Sequence, residues 1–413
     1  MRILCIFANE FPYGAWEPYL ETEIKYYDTF DKVYIFSLQL RREHAMTKRD
    51  VGSNIEVIPI YYAPRWRYFI NTWVTLFDSQ LYKELLRLIK KGISVSRLIA
   101  LFIYFSRSHY EARKILRRIK NDISKTDDIV FYSYRFEYQP YVATLVKKWL
   151  QVPGIVISRA HGFDLYENRR KHIYIPMRAY LLQVLDRIYP CSNDGQRYLQ
   201  NSYPQYKSKI ITSYLGTMDS GVQEYTRASF FRIVSCSNIV SIKRLLLLAR
   251  ALKEIHEYTI EWTHFGDGPE RCMLEKYIKE LPSNIKVHLR GHIDNTNLIK
   301  HYKEHCYDLF INVSESEGLP VSIMEATSFG IPCLVTDAGG TREIIQDGYN
   351  GIVIPVNSNA EEIANKIREC IEMKQEEYRS MRRAARQRWS MVFDADKNYR
   401  QFVKNELTNN YRE

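Results

Sequence analysis

Ser314–Glu315–Ser316–Glu317–Gly318–Leu319–Pro320–Val321–Ser322–Ile323–Met324–Glu325–Ala326 follows the short apolar run Leu309–Asn312. Proline is tolerated in the first turn of a helix, so a helix opens near Pro320. A strand, a loop and a helix N-terminus in that order supply free backbone N–H groups at the positive end of a helix dipole. That is a ready site for phosphate or an electron-rich hydroxyl. Glu317 precedes the helix and Glu325 lies more than a turn inside it, so the two carboxylates reach different parts of one ligand. A carboxylate that accepts two neighbouring hydroxyls is a common way to hold a ribose or a pyranose.

Outward from this segment, β-rich runs alternate with helical stretches, the pattern of parallel α/β layers. Strands are expected at 3–7, 32–36, 55–59, 129–132, 155–159, 188–191 and 210–213. In the second half they are expected at 231–236, 260–265, 285–290, 309–312, 331–336 and 351–356, with helices over 243–256, 271–280, 296–305 and 360–372. The fold class is therefore α/β, with two doubly wound Rossmann-like domains. Residues 1–217 form the first, 218–388 the second, and the charged helical tail from about 389 to 413 is expected to pack back on the first. Ligands belong at the carboxyl ends of the strands and in a cleft between domains.

The 413 residues are 46% hydrophobic and 26% charged, an ordinary globular balance that excludes disordered and fibrous classes. The net charge of +11 lies wholly in residues 1–200, which hold 31 basic and 20 acidic side chains. Between Arg65 and Lys120 stand 13 basic residues against Asp78, Glu84 and Glu111, interleaved with Trp66, Phe69, Trp73, Phe77 and many aliphatic residues. A basic stretch with an apolar face suits an anionic membrane surface. A solvated amphipathic helix pair is the plainer reading. No run approaches the ~20 apolar residues of a membrane span, and Met1–Phe7 lacks the cleavage site of a signal peptide. The seven cysteines are scattered without a C-x-x-C pair, as in a reduced cytosolic protein. Nucleic acid is not an expected partner.

Glu317 and Glu325, separated by seven residues, resemble the E-x7-E signature of the retaining glycosyltransferases of family 4, bacterial surface-polysaccharide type. Supporting motifs are Phe265–Gly266–Asp267–Gly268–Pro269, Arg290–Gly291–His292, Val335–Thr336–Asp337–Ala338–Gly339–Gly340 and Asp347–Gly348–Tyr349–Asn350–Gly351. Arg159–Ala160–His161–Gly162–Phe163–Asp164 resembles the family's histidine loop, and Phe11–Pro12 with Glu17 its first loop. The resemblance implies the GT-B fold and a nucleoside-diphosphate-sugar donor, UDP-sugar before GDP-sugar. It further implies transfer of a hexose to a lipid-linked or other glycan acceptor at the inner face of a cell membrane, with no cofactor and no metal.

By position, the resemblance assigns ribose binding to Glu325. The transferred sugar goes to Glu317 with the N–H groups after Gly318, at Leu319. Lys243 would neutralise the diphosphate, His161 would approach the reacting centre, and the surroundings of His292 would seat the base. Where the family carries an arginine five residues before its diphosphate lysine, this chain has Asn238. Either Arg244 or Arg159 substitutes, or donor binding is weaker or the donor differs. The competing readings are a GT-B enzyme with a soluble acceptor, an epimerase, or a non-catalytic nucleotide-sugar module.

Overall fold

A computed structural model describes the chain except Ala15, Lys171, His172, Gln223 and residues 410–413. The side chains of Arg65, Phe69, Lys91 and Asn409 also lie outside the described set. The chain divides into two compact units, Met1–Ser213 with Tyr399–Glu413, and Tyr214–Asn398.

The first unit carries six parallel strands: β1 Arg2–Ala8, β2 Lys32–Leu40, β3 Ile55–Tyr61, β4 Asp128–Ser133, β5 Ile155–Ala160 and β6 Arg187–Pro190. Their order is β3-β2-β1-β4-β5-β6. Ile3, Leu4, Cys5, Ile6 and Phe7 are all fully buried, as expected where helices cover both faces of a parallel sheet. The second unit repeats the plan with β7 Phe231–Cys236, β8 Ile260–Phe265, β9 Ile285–Leu289, β10 Leu309–Asn312, β11 Cys333–Thr336 and β12 Gly351–Ile354, ordered β12-β11-β10-β7-β8-β9. Chain direction around the sheet reverses between β1 and β4 and between β7 and β10. Doubly wound sheets bind ligands at the carboxyl ends of such strand pairs.

Three details differ from the sequence expectation. Residues 210–213 form no regular strand, although Ile211 N–H donates to Ile188 O at 3.0 Å and Ser213 N–H to Pro190 O at 2.9 Å along β6. The tail is not one helix but Gln375–Val392, Ala395–Phe402 and a π-helical turn, Val403–Asn409. The division also falls between Ser213 and Tyr214 rather than after Thr217. The cause is local: Thr217 N–H donates to Phe393 O and Ala395 N–H to Thr217 O, both at 3.0 Å, and Trp389 Nε1 donates to Thr217 Oγ1 at 2.7 Å. A Cβ on Gly216 would stand 2.4 Å from Ala395 Cα, so only glycine permits this approach. Residues 389–398 therefore stay with the second unit. The tail from Tyr399 belongs to the first, where Phe402 lies 4.3 Å from the Arg159 guanidinium.

The basic region forms three helices, Arg65–Thr75, Ser79–Lys91 and Val95–Ile119. No helix among the described residues is long and apolar enough to cross a membrane.

Candidate active site

At the carboxyl end of β7 the chain turns through Ser237 and the exposed Asn238 into a short 3-10 turn, Ser241–Lys243. At the end of β10, Asn312 leads into the Glu317 loop. Lys243 Nζ donates to Glu317 Oε1 at 2.6 Å, and Asn312 Nδ2 donates to the same oxygen at 3.0 Å. Glu315 N–H donates to Ile242 O at 2.9 Å, which ties the two loops together. A cation and a carboxylate thus meet at the switch point of the second sheet.

The supporting loops leave little freedom. Gly340 N–H donates to Gly318 O at 2.8 Å, and a Cβ on Gly339 (φ +56°) would lie 2.1 Å from Glu317 O. The glycine pair thus serves close backbone approach to the carboxylate loop. Gly266, at the end of β8, would place a Cβ 1.8 Å from Ser237 O. Beneath that carbonyl is His264, which burial pushes down to about 4 and keeps neutral; its Nε2 lies 3.1 Å from Ser237 O and its Nδ1 2.8 Å from Ser235 Oγ.

Helix Val321–Ser328 starts after Pro320 with no side-chain cap, which leaves its N-terminal N–H groups to a ligand or water. Leu319 is buried and Gly318 half-buried at its entrance. Glu325 is 7% exposed. Burial pushes its carboxyl up to about 7, against a hydrogen bond from Asn295 Nδ2 to its Oε1. Asn295 opens helix Asn295–Glu304, capped by Asp294. His292 stands exposed just before it; the residue of this loop that reaches Glu325 is Asn295.

The expected substitutes for the missing arginine both make contacts of their own. Arg244 donates from Nε to Val313 O at 2.7 Å and from Nη1 to Val356 O at 2.6 Å, which ties loops together, while its buried Nη2 has no hydrogen-bond partner among the described residues. Arg159 is fully buried in the first unit, 2.7 Å from Tyr132 Oη and 3.3 Å from Glu23 Oε2.

His161 lies in the first unit, at the end of β5. Its backbone N–H donates to Asp164 Oδ1 at 2.8 Å, and Phe136 N–H donates to Asp164 Oδ2 at 2.7 Å. Burial works against the Asp164 charge. His161, Arg135 and the Phe136 N–H overcome that cost and hold its carboxyl well below the usual range. Burial also pulls the His161 imidazole down, so it is neutral near pH 7. Neither ring nitrogen has a hydrogen-bond partner among the described residues. Glu17, in the first loop, accepts from Asn9 N–H at 2.9 Å and from Glu10 and Phe11 N–H at 3.2 Å. Its role is to shape that loop.

Sequence reasoning missed Asn295, Asn312 and Arg135. Asn312 carried a signal as the polar residue ending an apolar strand; Asn295 had none, since its partner lies 30 residues away.

Comparison with known proteins bears on the family and the fold. Residues 227–388 match the family model of the glycosyl transferases, group 1. That segment contains Lys243, Glu317 and Glu325. The GtfA subunit of UDP-N-acetylglucosamine–peptide N-acetylglucosaminyltransferase from Streptococcus gordonii is 28% identical over 334 residues, 76% of this chain and 62% of that protein. The O-antigen biosynthesis glycosyltransferase WbnH of Escherichia coli is 29% identical over 218 residues, 51% and 59% respectively. The chain spans less than two thirds of either relative. Among solved structures, Anabaena HepE in complex with UDP and glucose superposes with a TM-score of 0.66 at 17% identity, over 99% of this chain and 100% of that one. The lipopolysaccharide outer core galactosyltransferase WaaB gives 0.69 at 14%, over 98% and 99%. At such identities the likeness is one of fold: two Rossmann-like domains of the GT-B type.

Proposed function

We propose that the protein is a retaining glycosyltransferase that moves a hexose-type sugar from a nucleoside diphosphate, UDP before GDP, to a lipid-linked or other glycan acceptor. The observation that carries this reading is the Lys243–Glu317 pair at the β7/β10 switch point, with Glu325 buried on the helix that follows. Cleaving a sugar–diphosphate bond builds negative charge on the leaving group, and a lysine beside helix-terminal N–H groups stabilises that charge. An entering diphosphate would compete with Glu317 for Lys243 and release Glu317 to accept hydroxyls of the transferred sugar. Glu325 would accept the ribose hydroxyls. The leaving phosphate would take the proton of the incoming hydroxyl on the same face, with no metal required. His161 would serve the reacting centre as a neutral imidazole. The UDP-N-acetylglucosamine of GtfA and the UDP bound by HepE support a uridine donor, and WbnH supports polysaccharide assembly. The basic helices Arg65–Thr75, Ser79–Lys91 and Val95–Ile119 would hold the enzyme at the inner face of the membrane.

Transfer from UDP-sugars in the presence of EDTA tests the proposal. Glu325→Ala should raise the donor KM sharply, and an unchanged KM would sink the ribose assignment. The exposed Asn238, standing where the family carries an arginine, favours one second reading: nucleotide-sugar binding without transfer. Tight UDP binding with no turnover on any acceptor would select it.

A further inference from the structure

The second unit carries a cavity that the nucleotide-sugar reading does not use. On helix Gln375–Val392, Arg379, Arg382, Arg383 and Arg386 are spaced i, i+3, i+4 and i+7, which sets all four on one helical face. They line a cavity of about 730 Å³ together with Glu224 and Tyr225, from the segment before β7, and Phe329, where helix Val321–Ser328 ends. Small ligands are commonly held in cavities of about 300–1,000 Å³. Neither Lys243, Glu317 nor Glu325 lines it, so it is separate from the candidate donor site.

Two of the arginines are fixed by the protein. Arg382, 9% exposed, donates from Nη1 to Tyr307 O at 2.9 Å and lies 4.4 Å from the centre of the Tyr225 ring. Arg386 donates to Ser328 O at 2.6 Å and pairs with Asp219 at 2.7 Å. Arg379 and Arg383 are exposed and have no ion pair or hydrogen bond among the described residues. The nearby acids do not balance this cluster. Among the described residues Glu224 is the one carboxylate in the lining and Asp219 the one paired to these arginines, so four positive charges meet two negative ones. Asp308, which accepts from Tyr225 Oη, is taken up by Arg232 at 2.9 Å. Glu376 and Glu377, in the first turn of the arginine helix, line no part of the cavity.

Like charges four residues apart on a helix repel, so the uncompensated Arg379 and Arg383 favour an anion between them. Guanidinium forks match phosphate oxygens in pairs. The two unbalanced charges call for a dianion, and the cavity is far larger than a phosphate ion alone requires. Val222 and Tyr225 give the remainder an apolar wall.

We infer that this cavity binds a phosphomonoester, with its phosphate at Arg379 and Arg383 and its organic part against Val222 and Tyr225. The inference stands apart from the glycosyltransferase reading. A soluble sugar phosphate and a lipid with a terminal phosphate offer the same group, so the test has an arm for each.

The full chain is titrated calorimetrically with glucose 1-phosphate and co-sedimented with vesicles containing phosphatidic acid. Saturable binding of the sugar phosphate marks a soluble ligand, and binding to the vesicles alone marks a lipid headgroup. In either arm the double variant Arg379→Gln, Arg383→Gln should weaken binding about 100-fold, tenfold for each charged contact. Both positions are exposed, so its Tm without ligand should match the parent's. Lys243→Met should bind as the parent does, and dimethyl phosphate, a monoanion, should bind more weakly than glucose 1-phosphate. Binding to neither probe overturns the inference. So does binding that the double variant retains, and its loss in Lys243→Met would then place the phosphate in the donor site.

Discussion

Glu325→Gln should stabilise the free protein while weakening its ligand binding, and the pH dependence makes the two effects separable. Burial lifts the Glu325 carboxyl from 4.5 to about 7 in the fold. Its folded pKa is raised, so the fold holds a proton that the unfolded chain has released. The contribution is therefore favourable below about pH 4.5 and is lost as pH rises towards 7. At 1.36 kcal/mol per unit, the buried carboxylate costs about 3 kcal/mol at pH 8 and under about 1 kcal/mol at pH 5. Glutamine carries no such cost and can still accept from Asn295. For a unit of this size, 3 kcal/mol corresponds to about 6–12 °C in Tm. Calorimetry of the full chain at pH 5 and pH 8 should show Glu325→Gln melting higher at pH 8 and nearly level with the parent at pH 5. Since the ionised form is the better acceptor of two ribose hydroxyls, the affinity for a UDP-sugar, whose diphosphate does not titrate in this range, should rise from pH 6 to pH 8 in the parent and stay flat in the variant. Equal Tm differences at both pH values, or a pH-dependent affinity that survives in Glu325→Gln, would refute the reasoning.

Lys243→Met removes the cation facing Glu317 and should weaken UDP binding about 10- to 100-fold, the range for a charged hydrogen bond, measured by calorimetric titration. Arg244→Gln separates loop support from phosphate contact: Tm should fall, while UDP affinity stays within about threefold of the parent. Asp164→Asn points an amide N–H at the Phe136 or His161 N–H and should cost about 1–3 kcal/mol in urea unfolding at pH 7. The folded pKa of Asp164 is depressed, so its contribution is lost as pH falls below the ordinary carboxylate range. The variant's deficit should therefore shrink in acid.

The fold was legible because parallel strands buried on both faces announce themselves as apolar runs. Leu309–Asn312 and Phe231–Cys236 stand where the alternation put them. The Ile210–Ser213 run does lie parallel to β6, with two backbone hydrogen bonds to it, but the pairing is too short to make a regular strand. In the site, the motif singled out Glu317 and Lys243 for different parts of one ligand, and the ion pair between them was not legible. The partner that sets the chemistry of Glu325 was hidden as well. Asn295 arrives from a loop remote in sequence, and nothing in the sequence says that two carbonyls accept from Arg244. Gly339 and Gly340 stand in a quoted motif, but that their backbone closes on Glu317 and Gly318 only the fold shows.

The most direct test of a nucleotide-sugar site at the carboxyl end of the second sheet is a thermal-shift titration of the full chain with UDP-, GDP- and ADP-sugars in EDTA, beside Lys243→Met and Glu325→Ala. Binding to the native state raises Tm by mass action. A clear shift with the uridine series, lost in both variants, is the expected result. No shift with any nucleotide sugar, or a shift that both variants retain, would contradict the account.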